Sequence, residues 1–172
     1  MRKYGGTPRI YALYVAAVRL VDDTLNDARE EARWLVESAF TLGLFAHFEG
    51  ALMRDFETRR QLVQRADHDD PRAIDLLEHF DRAQSLRDRS GGSRENVELR
   101  LDAYELAYRD EFAARRVRSA IRRALKFRNL AAHGLMHPRH EHDLHFVEAA
   151  NAIENWFACI PDFPLDAYDR TD

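Results

Sequence analysis

A run of about forty residues with an unbroken helical pattern constrains the fold more than any other feature of the chain. Between residues 26 and 66, apolar side chains recur at the three- and four-residue spacing that places them on one face of a helix. The main stripe is formed by Leu35, Leu42, Phe45, Leu52 and Phe56, and it is widened by Phe40, Leu44, Phe48 and Met53. A helix this apolar needs cover on more than one side, from its own domain or from a partner subunit.

The rest of the chain shows the same helical period in shorter segments separated by polar breaks. One further helix is predicted to start at Thr7-Pro8. Others are predicted over residues 73–87, 96–113, 115–133 and 144–157, and the second of these is predicted to bend near Asp110. No alternation with the period of a strand persists. We therefore predict a single all-α domain over residues 1–172, a bundle of about five helices with a loose acidic tail from about residue 162.

Composition favours a soluble protein in a reducing compartment. The formal net charge is -4, so the molecule as a whole is not a polycation and any anion binding has to be local. A single cysteine, Cys159, permits no internal disulfide, and we expect its thiol to be buried and inert. The apolar stretch near the start is too short and too charged for a membrane span and lacks a signal-peptide cleavage pattern. We expect a cytoplasmic protein with no membrane partner.

The densest basic run lies on one amphipathic helix, predicted from Arg115 onward. Its apolar stripe consists of Val117, Ile121, Ala124, Leu125 and Ala131. Gly134 suits the position after a helix and Pro138 prevents its resumption, so the helix is predicted to end near His133. One side carries four cations, followed by Asn129 and His133. These cations, here called the basic strip, are Arg115, Arg118, Arg122 and Lys126.

Two charged residues interrupt the apolar stripes of different helices. Arg128 projects near the middle of the stripe of the basic helix, and Glu49 lies between Phe45 and Leu52 on the long helix. An unpaired charge at such a position is costly. Because the two charges are opposite, the simplest joint interpretation is that Glu49 and Arg128 pair across a helix–helix contact. The alternative is that helix rotation brings Glu49 to water.

Three other groups of residues are weaker candidates for chemistry. The loop after the basic helix contains His137, His140, His142 and His145, but their spacing matches no closed zinc site and no second cysteine is present. The carboxylates of Asp67, Asp69 and Asp70 lie in a polar loop and are typical of a solvated break. No glycine-rich phosphate loop occurs. We expect no metal site and no cofactor.

Arg128, Asn129 and His133 combine two functions that phosphodiester chemistry uses. Asn129 and His133 are four residues apart and share a helix face. A histidine at a helix C-terminus can exchange a proton near neutral pH, and an arginine can hold a phosphate with a fork of donors. Attack by a ribose 2′-hydroxyl on the adjacent phosphodiester, without a metal, needs these two functions. The alternative is that His133 only caps the helix or lies on the surface.

The string Arg128-Asn129-Leu130-Ala131-Ala132-His133 resembles the Arg-Asn-x3-His signature of the HEPN (higher eukaryotes and prokaryotes nucleotide-binding) superfamily. The following Gly134, and the segment Phe-Ala-His-Phe-Glu-Gly over 45–50, are similar to free-standing prokaryotic HEPN-like nucleases. The resemblance covers most of the chain as a fold, but only these two segments as residues.

The resemblance implies a homodimeric helical bundle that cleaves RNA without a metal, with the arginine and histidine of both subunits meeting at the interface. Carried over, Arg128 and His133 are catalytic, Asn129 orients or contacts the phosphate, and Glu49 is the auxiliary acid that fixes Arg128. Many members act in toxin–antitoxin or anti-phage defence systems. In one toxin branch, a tyrosine two residues after the histidine is modified by the antitoxin. Leu135 occupies that position here and argues against this regulation.

We therefore predict a metal-independent endoribonuclease of HEPN type whose partners are RNA, a second copy of the chain and an antitoxin or defence-system protein. The basic strip is predicted to bind the RNA substrate. One alternative is a non-catalytic HEPN module that binds RNA or a partner protein. Another is a helical partner-binding protein whose arginines are merely solvated.

Overall fold

The computed structural model describes residues 6–24, 29–65, 71–90, 96–115, 117–133 and 146–160, and nearly all of them are helical. These ranges form α1 (Gly6–Thr24), α2 (Arg29–Gln64), α3 (Pro71–Ser90), α4 (Asn96–Ala107), α5 (Arg109–Arg115), α6 (Val117–Ala132) and α7 (Phe146–Phe157). No strand occurs within them. The predicted all-α class is confirmed. None of the described helices combines the length and the apolar character that a membrane span needs.

The described ranges contain seven helices rather than about five. The run predicted over 26–66 is a single helix of 36 residues, α2. The segment predicted over 96–113 is divided at Tyr108, where the predicted bend separates α4 from α5. The amide of Tyr108 donates to the carbonyl of Tyr104 at 2.9 Å, and the amide of Phe112 donates to the carbonyl of Tyr108 at 3.1 Å. Helical hydrogen bonding therefore continues through the bend.

The core surrounds α2, which packs against α1, α3, α4, α6 and α7. Its buried face includes Phe45, Phe48 and Leu52, all with 0% exposure. Trp156 of α7 is fully buried and meets the ring of Phe48 edge-on, with the centroids 5.5 Å apart. The prediction that the long helix is covered on more than one side is confirmed.

Two residues of the predicted apolar face of α2 lie in solvent. Leu35 is 59% exposed and Met53 is 50% exposed. Leu35 precedes Leu42 by seven residues, and a straight helix rotates by about 20° for each seven-residue step. Over the three steps from Leu35 to Phe56, this drift moves one end of the stripe away from the core.

The start of α7 is tied to α2 by a side chain. The amide of Phe146 donates to Oε1 of Glu37 at 3.0 Å, so a carboxylate lies at the positive end of the α7 dipole. The predicted cap of this helix, Asp143, lies outside the described residues, as do the histidine-rich loop, the acidic break and the tail. Cys159 is buried, as predicted, and its thiol donates to the carbonyl of Asn155 at 3.4 Å.

Candidate functional site

Glu49 of α2 and Arg128 of α6 form an ion pair. Nη2 of Arg128 donates to Oε1 of Glu49 at 2.5 Å. The side chains are 20% and 29% exposed for Arg128 and Glu49, so the pair is shielded but reachable from solvent. The pairing predicted from two opposite charges on two apolar stripes is confirmed. The contact joins α6 to α2.

Asn129 holds the same guanidinium from a second direction. Nη1 of Arg128 donates to Oδ1 of Asn129 at 2.7 Å. The planar guanidinium has five N–H donors in a fixed fork, so acceptors on two of its nitrogens define the orientation of the whole group. Arg128 is therefore fixed in position by one neighbour along its own helix and one residue from α2.

A cleft of about 300 Å³ runs along the C-terminal half of α6. We call it the α6 cleft, and its lining consists of Glu98, Arg122, Leu125, Lys126, Asn129, Leu130 and His133. Four of the predicted site residues, including Asn129 and His133, therefore share one cavity. Asn129 belongs both to this lining and to the hydrogen bond with Arg128, so it connects the ion pair with the cleft.

His133 lies in the turn that follows the last residue of α6 and is exposed. Its amide donates to the carbonyl of Asn129 at 3.1 Å, which continues the hydrogen-bonding pattern of the helix by one residue. The predicted helix end near His133 is confirmed. An exposed imidazole on the lining of a cleft is accessible to a ligand that binds there.

Acidic residues of α4 pair with Arg118 and Arg122, the two middle cations of the basic strip. Nε of Arg118 donates to Oε2 of Glu105 at 2.8 Å, and Nη2 of Arg122 donates to Oδ1 of Asp102 at 2.5 Å. Nη2 of Arg122 also lies 3.3 Å from Oε2 of Glu105, which is itself only 1% exposed. Arg118 and Arg122 therefore have a structural role, and their predicted contact with RNA stays a prediction.

The sequence reasoning missed these acids, although their spacing signals them. Glu98, Asp102 and Glu105 are separated by four and three residues, so they lie on one face of α4. Together with the basic strip, this acidic face predicts a row of ion pairs between two helices. Lys126 is exposed and lines the α6 cleft. The prediction that all four cations share one helix is wrong for Arg115, which is the last residue of α5.

A second charged network, also missed from the sequence, is buried beside α2. Nε of Arg59 donates to Oδ2 of Asp55 at 2.9 Å, and the hydroxyl of Tyr104 donates to the same oxygen. Nη1 of Arg59 donates to the hydroxyl of Tyr108 at 3.1 Å. Asp55 is 1% exposed and Arg59 is 5% exposed. This burial indicates a role in stability.

Burial changes the acidity of the groups in this network. It raises the pKa of the Tyr104 hydroxyl well above its ordinary value, and the charge of Asp55 acts in the same direction. Burial alone would lower the pKa of Arg59, but the charge of Asp55 and its hydrogen bond more than offset this and raise it. Both groups therefore keep their protons, which the hydrogen bonds to Asp55 require.

Compared with known protein families, with curated proteins and with solved structures, the chain matches none of them. The resemblance to HEPN proteins rests on the two segments quoted above. In the part of the chain that the structure describes, no three histidine, cysteine or acidic side chains converge as metal ligands would. The four histidines of the loop lie outside that part.

Proposed function

We propose that this protein is a metal-independent endoribonuclease of HEPN type that acts in a toxin–antitoxin or anti-phage defence system. The observation that supports the proposal is the arrangement at the end of α6. Glu49 and Asn129 orient the guanidinium of Arg128, and Asn129 and His133 line the same cleft. An oriented cation beside an accessible imidazole suits the metal-free cleavage of a phosphodiester.

In the proposed reaction, the ribose 2′-oxygen attacks the adjacent phosphorus while the bond to the 5′-oxygen breaks. A base removes the proton of the 2′-hydroxyl, and an acid protonates the departing 5′-oxygen. His133 serves as one of these groups, and Arg128 stabilises the charge that develops on the phosphate oxygens. Glu49 acts as a positioning residue, because it touches the guanidinium rather than the substrate. The products carry a 2′,3′-cyclic phosphate and a 5′-hydroxyl.

One histidine supplies one of the two proton transfers, and a second copy of the chain would supply the other. We therefore propose a two-fold dimer in which the two His133 side chains face a shared cleft. The exposure of His133 is compatible with this arrangement. The exposed Leu35 and Met53 on the long helix also provide apolar surface that a second copy could cover.

The alternative is a non-catalytic HEPN module that binds RNA or a partner protein. It is favoured by the ion pairs of Arg118, Arg122 and Arg128, because each of these arginines already has a carboxylate partner. A site in which the cations are compensated can hold a fold together without taking part in catalysis.

Incubation of the purified protein with total RNA and with transfer RNA in EDTA tests the proposal. The matched variants are His133→Ala and His79→Ala, because His79 pairs with Asp75 on α3 rather than lining the α6 cleft. We expect cleavage by the wild type and by His79→Ala, and none by His133→Ala. Binding of RNA without cleavage under all conditions would favour the non-catalytic alternative.

A further inference from the structure

Arg100 of α4 is a partly buried arginine with no carboxylate within ion-pair distance among the described residues. Its guanidinium lies over two aromatic rings, 5.8 Å from the centroid of Phe56 and 5.5 Å from that of Phe80. Its Nε is buried and has no acceptor in the described part of the chain. The partly or fully buried Arg59 and Arg128 both have carboxylate partners, so Arg100 differs from them.

An arginine in these surroundings has N–H donors without acceptors, and its positive charge is stabilised when an anion binds. Burial lowers the pKa of Arg100, and the charges of Glu57 and Glu49 only partly offset this effect. The two phenylalanine rings hold the plane of the guanidinium and contribute a cation–π attraction, but rings accept no conventional hydrogen bond. The residue as a whole is partly exposed, so a negatively charged ligand oxygen at the guanidinium would compensate its charge.

Arg100 also lies close to the candidate site. Glu49, whose carboxylate contacts Arg128 at 2.5 Å, is near enough to act on the charge of Arg100. Phe56, over which the guanidinium of Arg100 lies, follows Glu49 by seven residues on α2, so the two positions share a face of that helix about two turns apart. Arg100 is therefore a cation without an ion-pair partner among the described residues, on the same side of α2 as the Glu49–Arg128 pair.

We propose that Arg100 binds a backbone phosphate of the RNA strand, flanking the phosphate that lies at Arg128 and His133. This inference rests on the proposed function for the identity of the strand. A repeating polyanion fits better than a single ion, because one strand would then reach both Arg128 and Arg100. The guanidinium fork is suited to phosphate oxygens, and its aromatic support reduces the conformational entropy lost on binding.

The chain offers a matched control for this inference in Arg60 of α2. Its guanidinium also lies over the ring of Phe56, at 5.2 Å from the centroid. In contrast to Arg100, it is paired with Asp81 at 3.1 Å and with Glu57 at 3.8 Å. Replacing either arginine removes one cation from the ring of Phe56. Only the replacement of Arg100 is expected to remove a phosphate contact.

The experiment measures binding of a 2′-O-methyl single-stranded RNA of about 12 nucleotides between about 50 and 200 mM salt. This probe cannot undergo 2′-hydroxyl attack, so binding is read separately from cleavage. We expect Arg100→Gln to flatten the slope of log affinity against log salt by about 0.7, the value for one phosphate contact on a single strand. Arg60→Gln should leave the slope unchanged, and Arg100→Lys should keep it with weaker affinity, because lysine retains the charge without the fork.

Equal slopes for wild type and Arg100→Gln, or equal losses for the two glutamine variants, would overturn the inference while leaving the nuclease proposal intact. Absence of RNA binding by the wild type would also overturn it. Stabilisation of the wild type but not Arg100→Gln by inorganic phosphate, with an unchanged RNA slope, would assign the site to free phosphate instead. A flattened slope in a protein that cleaves no RNA would retain Arg100 as a phosphate contact and remove the nuclease.

Discussion

Two arginine–carboxylate pairs that involve α2 have similar chemistry and different surroundings. Asp55 and Arg59 are bonded at 2.9 Å with side chains 1% and 7% exposed, and the hydroxyls of Tyr104 and Tyr108 bond to Asp55 and Arg59, respectively. Glu49 and Arg128 are bonded at 2.5 Å with side chains 29% and 20% exposed, and Asn129 connects them with a cleft. The surroundings, rather than the pair itself, distinguish a group that stabilises the fold from one that can meet a ligand.

The two pairs also differ in what their formation requires. Asp55 and Arg59 are four residues apart on one helix, so α2 alone places them side by side. Glu49 and Arg128 are 79 residues apart, and they meet only when α6 packs on α2. The second pair therefore depends on correct tertiary packing, and the orientation of Arg128 follows from that packing.

We call Asp55–Arg59 the closed pair, with its tyrosines the closed network, and Glu49–Arg128 the open pair. The greatest loss of stability is expected at the closed pair. Asp55→Ala leaves Arg59 as a buried charge without its carboxylate, so we expect the free energy of unfolding to fall by about 3–5 kcal/mol. Urea denaturation followed by circular dichroism measures the change. Asp81→Ala on the exposed pair with Arg60 is the control and should cost less than about 1 kcal/mol. A loss at Asp55 no greater than that of the control would contradict a structural role for the network.

The closed network should also make the protein sensitive to high pH. Because the pKa of Tyr104 is raised in the folded state, the unfolded chain loses this proton first, above about pH 10. Its contribution to stability is therefore complete below that pH and falls by up to about 1.4 kcal/mol per pH unit above it. Burial and the charge of Glu37 raise the pKa of Tyr14 to about 12. Tyr14 therefore adds to the fall in stability between about pH 10 and pH 12.

Unfolding free energies measured at several pH values from about 8 to 11 test this expectation. The variant Tyr104→Phe removes the ionisable group, so its stability should decline less steeply than that of the wild type over the alkaline range. Parallel curves for the two proteins would show that Tyr104 does not retain its proton in the folded state.

The sequence predicted the open pair because two charges of opposite sign interrupted apolar stripes. It did not predict the closed pair, because Asp55 and Arg59 resemble an ordinary exposed ion pair of a helix surface. The pair is buried because Tyr104 and Tyr108, which are distant in sequence, bond to it. A local pattern therefore identified a charge on an apolar face, but not a core that closes around a polar group.

The division of helices was also only partly predictable. The bend near Asp110 was predicted, and it lies at Tyr108. The end of α6 was predicted from Gly134 and Pro138, because these residues stop helices by their own backbone properties. The separation of α5 from α6 carries no such residue, and the predicted basic helix therefore began at Arg115, two residues before α6 does.

At the open pair we expect a smaller change in stability and a larger change in activity. Glu49→Ala should lower the free energy of unfolding by about 1–2 kcal/mol, less than for a fully buried pair because both side chains are partly exposed. Cleavage of RNA should fall by at least about tenfold, because Arg128 loses the contact that orients it. Glu57→Ala, on the weaker 3.8 Å pair with Arg60, is the matched control. Unchanged stability and activity in Glu49→Ala would refute the role assigned to this pair.

The weakest effects are expected within the basic strip, where Lys126 and Arg122 have different surroundings. Lys126→Gln should weaken RNA binding several-fold and reduce its salt dependence, with no change in thermal stability, because Lys126 is exposed on the cleft lining. Arg122→Gln should lower thermal stability as well, because Asp102 and the buried Glu105 lose a partner. Reversal of both charges should weaken binding further. If Lys126→Gln destabilises the fold while Arg122→Gln does not, the roles assigned to these two cations are wrong.

In the proposed function, Arg128 and His133 cleave RNA through attack by the 2′-hydroxyl, without a metal. The most direct measurement is end-group analysis of the products formed in EDTA from an RNA with one cleavable linkage. We predict a 2′,3′-cyclic phosphate and a 5′-hydroxyl, no cleavage when the 2′-hydroxyl at that linkage is replaced by hydrogen, and no cleavage by His133→Ala. Products with a 5′-phosphate, or cleavage that stops on chelation and returns with magnesium, would contradict the mechanism.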